Sequence, residues 1–160
     1  MTQQQYLSSR IREVFLNGKW IAHTNYKEQL DHTRFEEAVY KNGNTNSIAL
    51  LTWHINYYLE GLLQVFEGGP LSISDKYSFD MPEPVTETGW KHMKETLFAN
   101  AAKFADHVAD MTEEKLASVF VKENYGSYLR NIEAVIEHSY YHLGQIVLLK
   151  KIMTATNIPA

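Results

Sequence analysis

Apolar residues in this chain recur at intervals of three and four over four long stretches, and nowhere do they alternate with polar ones over the length of a strand. The first stretch runs from about Gln3 to Asn17, with Tyr6 or Leu7, Ile11, Val14 and Phe15 on one stripe and Gly18 as a natural stop. The second opens at Asn46 or Ser47, both good N-caps, and carries Ile48, Leu51, Ile55, Tyr58 and Leu62 up to the breaker Gly68-Gly69-Pro70. The third opens near Thr86 or Thr88, and Trp90, Met93, Leu97, Ala101, Phe104 and Val108 follow at helical spacing. The fourth spans about Ser127 to Met153, with Leu129, Ile132, Ile136, Leu143 and Val147 on or near one stripe. Lys150 and Lys151 sit near its end, where the helix dipole favours cations.

The segments between these helices differ in kind. Residues Lys19 to Thr45 are irregular, with short helical turns expected at Asn25–Leu30 and Phe35–Ala38, and Met111 to Gly126 form a second break with a turn capped by Thr112. The connection from Gly68 to about Val85, punctuated by Pro70, Pro82 and Pro84, is long for a link between adjacent helices and lets the chain cross over. The pattern therefore predicts an all-α chain, a four-helix bundle in a single domain over residues 1–160, with a long crossover between the second and third helices. Pattern alone leaves connectivity and handedness open.

A chain of 160 residues can bury a core without disulfides or a structural metal, so any bound metal is expected to be functional. Hydrophobic residues make up 44% and charged ones 21%, the balance of an ordinary globular protein. No stretch approaches the roughly 18 apolar residues of a membrane span, and Met1 to Arg10 do not read as a secretory leader, so a cytoplasmic location is expected. The net charge of −4, without a Lys/Arg cluster, argues against a nucleic-acid partner. The absence of Cys removes thiolate ligands and a cysteine nucleophile: a metal must be held by nitrogen or oxygen, and a reacting thiol must come from outside.

Candidate chemistry centres on the run Ile136-Glu137-His138-Ser139-Tyr140-Tyr141-His142-Leu143-Gly144-Gln145-Ile146. His138 and His142 are one helical turn apart and share a face, so both imidazoles can meet one cation. His54, in the apolar run Ile48 to Ile55 of the second helix, is the best third ligand. Spacing alone also admits a second reading, in which these are half-buried histidines bonded to neighbouring tyrosines or carbonyls. The apolar setting of His54 and His142 tilts the choice, because a shared metal would satisfy ring nitrogens that otherwise need separate partners.

The remaining histidines, His23, His32, His92 and His107, fall in loops or beside polar and small residues and read as surface positions. Ser139 stands where a zinc peptidase of the His-Glu-x-x-His type carries its general base, so peptidase chemistry is not expected. Tyr58 and Gln145, each one turn beyond a histidine, could accept a second ring N–H. Tyr57, Tyr140, Tyr141 and Trp53 could wall a pocket or belong to the core or a dimer surface. Glu60 and Glu137 point away from the ligand face, leaving no evident general base.

On His54, on His138-x-x-x-His142 followed by Gly144-Gln145, and on the helix opening Asn46-Ser47-Ile48, the chain resembles the DinB-like superfamily, which includes the YfiT-type hydrolases. The resemblance spans nearly the whole chain. It implies an up-down-down-up bundle, often homodimeric, with a divalent metal, commonly zinc or nickel, on His54, His138 and His142. It also implies a small-molecule substrate: characterised members include isomerases and transferases that use low-molecular-weight thiols such as mycothiol or bacillithiol, and some hydrolases. The family often places another His beside the last ligand; here the neighbours are Tyr141 and Leu143, which weakens transfer of any one subfamily's substrate. The alternative is a non-catalytic metal-binding or stress-related bundle, or a protein-interaction module.

Overall fold

Each long helix starts on a hydroxyl. In the computed structural model, which describes residues 1–83 and 85–156, Thr2 opens α1 (Gln3–Arg12) in a capping box with Gln5, and Asn25 caps the short α2 (Tyr26–Asp31). After α3 (Phe35–Val39), Ser47 caps α4 (Ile48–Phe66), taking the N–H of Leu50, and Thr86 caps α5 (Glu87–Ala109). Thr112 caps the short α6 (Glu113–Ala117), and Ser127 caps α7 (Tyr128–Ala155). The fold is all-α, with four long helices. No strand forms among the described residues, where Val119 and Ser127 make an isolated antiparallel bridge. The expected turns before residue 45 are α2 and α3. Of the two expected caps for the second long helix, Ser47 is the one used.

One local difference from the pattern lies in the first helix. Its last turn, Glu13–Asn17, widens into a π-turn that keeps Val14 and Phe15 buried. Pro84, one of the breakers in the middle link, and residues 157–160 of the expected domain lie outside the described residues.

α1 and α4 each pack against both α5 and α7. Their shared core holds Leu7 and Ile11 of α1, Ile55 and Leu59 of α4, Leu97 and Phe104 of α5, and Ile132 and Ile136 of α7, all buried. α2 is pinned beside this core. Tyr26 is fully buried, stacks on Phe15 with centroids 5.0 Å apart, and donates its hydroxyl to the Ser139 carbonyl at 2.9 Å. Two cations serve the carbonyls at the end of α2: Lys150 Nζ donates to Gln29 O at 2.8 Å and Lys94 Nζ to Leu30 O at 3.4 Å. Burial lowers the Lys150 pKa from its ordinary value.

The link between α4 and α5 lies down on α4. Gly61 makes this close approach feasible, since a Cβ there would come within 2.5 Å of Ile73 Cδ1. One turn earlier, the Tyr57 hydroxyl donates to the Ser74 carbonyl at 3.0 Å and accepts the Ser74 N–H at 2.9 Å. These contacts deliver residues 75–79 to the middle of α4, beside His54. No helix among the described residues is long and apolar enough to cross a membrane.

Candidate metal centre

α4 and α7 bring three imidazoles together. One ligand atom from each of His54, His138 and His142 lies within 4.8 Å of the others. His138 Nε2 stands between its partners, 2.8 Å from His142 Nε2 and 3.3 Å from His54 Nε2. His54 and His142 are buried, and His138 is half-buried.

The protonation pattern follows from the opposite edges of the rings. His54 Nδ1 faces the Ser78 carbonyl at 3.2 Å, and His142 Nδ1 faces Gln145 Oε1 at 2.6 Å. Both oxygens can only accept, so each Nδ1 carries a proton, and in the neutral ring each Nε2 then presents a lone pair. His138 Nε2 can donate to one of these lone pairs and leaves the other unmatched. A divalent cation satisfies all three, so the donor set fits one held by neutral nitrogen ligands.

Electrostatics keeps the rings neutral. Burial comes first in lowering each pKa, and for His138, with the further repulsion of His142 and His54, the value is pushed down to about 4. The Asp75 carboxylate partly opposes this at His54 and His138. Neutral imidazole is the form that ligates a metal.

The middle link covers one side of the centre. Phe79 stacks on His54, and Tyr58 sets its ring edge-on to both His54 and His138, with centroids 5.1 and 5.3 Å away. The Tyr58 hydroxyl donates to Asp75 Oδ1 at 3.0 Å, so the acceptor for the His54 N–H is the Ser78 carbonyl rather than Tyr58. Tyr141 sits edge-on to His142 at 4.8 Å and is 64% exposed, a wall at the surface rather than core. Tyr140 instead turns back to the π-turn that follows α1, where its hydroxyl donates to Glu13 Oε1 at 3.0 Å.

Other sequence candidates lie elsewhere. Glu60 accepts from the amides of Asn56 and Asn100, and Glu137 lies 3.6 Å from Arg130. His23, His32 and His92 are exposed, and His107 lies 3.6 Å from Glu67. Sequence reasoning missed Asp75, Ser78 and Phe79. Their one signal is membership of a link too long for its apparent task.

The helical fold and three convergent imidazoles define a candidate histidine-only metal protein. A family model described as the DinB superfamily matches residues 21–146, and the chain belongs to that superfamily. No curated protein and no solved structure matches it.

Proposed function

We propose that this protein holds a divalent cation, zinc or nickel, on His54, His138 and His142, and is an enzyme that activates water or an external low-molecular-weight thiol against a small electrophile. The observation that carries this reading is the pair of Nδ1 atoms committed to the Ser78 carbonyl and the Gln145 amide oxygen, which turns two Nε2 lone pairs toward His138. Bound there, the cation would supply a Lewis acid that lowers the pKa of a water or thiol beside it. Ser78 and Gln145 orient the rings, Phe79 and Tyr58 keep solvent from one side, and the half-buried His138 marks the side of approach. A Cys-free chain supplies no thiol of its own, which supports an external one.

The same reading takes the four long helices as an up-down-down-up bundle. In support, α4 and α5 advance together, Asn56 meeting Asn100 before Phe66 meets Phe104. α4 and α7 run oppositely, His54 meeting His142 and Phe66 meeting Tyr128. Homodimerisation enters as an expectation of the family, and a cytoplasmic setting as one of the sequence.

The test is turnover by the zinc- or nickel-loaded protein of a chromogenic electrophile such as 1-chloro-2,4-dinitrobenzene, alone and with mycothiol, bacillithiol or cysteine. Metal- and thiol-dependent turnover that disappears in His142→Ala supports the enzyme. A second reading, a non-catalytic metal-holding bundle, is favoured by the engagement of Asp75 with Tyr58 rather than with a ring nitrogen. Full metal content without turnover on any thiol or on activated esters selects it.

A further inference from the structure

A cavity of about 340 Å³ opens where the turn at Asn44–Asn46 meets α4 and α7. Leu51, Leu149 and Ile152 form its apolar wall, and Asn44, Asn46 and Gln145 its polar rim. The volume lies at the small end of ligand sites, which run from about 300 to 1,000 Å³. Among the described residues no ionisable side chain lines it, so a charged guest would lose hydration without gaining a counter-charge from them. These three primary amides, and the hydroxyl residue Thr45 among them, offer both donors and acceptors to a neutral polar group.

Gln145 belongs both to this cavity and to the histidine cluster. Its Oε1 accepts from His142 Nδ1 at 2.6 Å, and its Nε2 makes no hydrogen bond among the described residues. We infer that the cavity binds a small uncharged molecule with an aliphatic body and a carbonyl or hydroxyl oxygen, the oxygen accepting from Gln145 Nε2. An acceptor on that nitrogen polarises the amide toward its own oxygen and strengthens the bond to His142, because linked hydrogen bonds polarise one another. Occupancy therefore favours the tautomer that presents the His142 Nε2 lone pair, so guest and divalent cation favour each other's binding. The coupling rests on the metal reading; the cavity's preference for a neutral guest does not.

The experiment titrates hexanamide, with hexanoate and hexylammonium as charged controls of equal length, into the full chain, first metal-free and then zinc-loaded. Side-chain amide NMR shifts and calorimetry provide the readouts. Expected are a saturable shift of the Gln145 amide with hexanamide and binding of both charged controls weaker by about tenfold or more. Hexanamide affinity should rise several-fold with zinc. Ile152→Trp, which fills the cavity, and Leu148→Glu, at a lip position that is 57% exposed, should each weaken hexanamide by about tenfold while zinc content stays at the wild-type level. No saturable shift at Gln145, equal affinity for the charged controls, or undiminished binding in both variants overturns the cavity assignment. Hexanamide binding to a protein that takes up no zinc overturns the coupling and the metal reading, and leaves the cavity standing.

Discussion

Phe79 lies flat on the imidazole of His54, ring centroids 3.9 Å apart and planes 9° from parallel. The contact joins the middle link to the histidine cluster, because the residue before Phe79 supplies the carbonyl that fixes the His54 tautomer. Phe79 is itself 41% exposed, so its value to the fold is smaller than that of a core aromatic. Phe79→Ala should cost no more than about 1–2 kcal/mol of stability, since only part of the ring is removed from water. It should speed zinc transfer to a chromogenic chelator several-fold. An unchanged transfer rate removes the link from the account of the centre.

Gly61 and Ile73 allow a second test of the same link. Alanine in a helix interior is ordinarily favoured over glycine by about 1 kcal/mol. Here the added Cβ meets Ile73 side-chain atoms at 2.5 to 2.7 Å, so Gly61→Ala should destabilise by about 1–2 kcal/mol instead. Adding Ile73→Ala to that variant should recover much of the loss, a coupling that urea unfolding of the two singles and the double reads directly.

Removal of the Gln145 amide tests ring orientation. Gln145→Leu leaves His142 Nδ1 without its acceptor, and zinc affinity should fall by about 10–100-fold, the usual range for such partners. Competition against a chelator of known affinity measures it, and Gln145→Glu, which still accepts from Nδ1, should restore most of the loss.

Acid should destabilise the metal-free protein through the same rings. An unfolded imidazole takes up its proton near pH 6.5, whereas His138 in the fold does so only at about 4, so between these values the unfolded chain binds more protons. Stability from this source is unchanged above about pH 6.5 and falls as pH drops toward 4, with His54 and His142 adding in the same direction. Urea midpoints at pH 7.5, 6.0 and 5.0 should decline for the wild type and less steeply for His138→Gln; parallel slopes would contradict the assignment.

The long helices are legible in the sequence because each writes a three-and-four period ended by its own cap or breaker, as with Thr86 before Trp90 and Gly68 after Phe66. His138 and His142 share a face by arithmetic, and His54 stands out as a polar residue in an apolar run. Gln145 follows from the same helical spacing. Ser78, Phe79 and Asp75 carry no periodic signal: Ser78 meets His54 across 24 residues of sequence, and only the fold-back over Gly61 brings them together. Tyr58 shows the limit of helical spacing, which places its ring beside His54 but does not tell that Asp75 takes its hydroxyl. Nothing in Glu13–Asn17 distinguishes a π-turn from an ordinary last turn.

The central claim is that these three imidazoles hold one divalent cation. Elemental analysis of protein purified without chelator or nickel resin, wild type beside His142→Ala, tests it most directly. The account predicts about one equivalent of zinc or nickel in the wild type and little in the variant, with helicity by circular dichroism nearly unchanged. Equal metal content in the two proteins, or none in either after incubation with zinc and nickel, would contradict it.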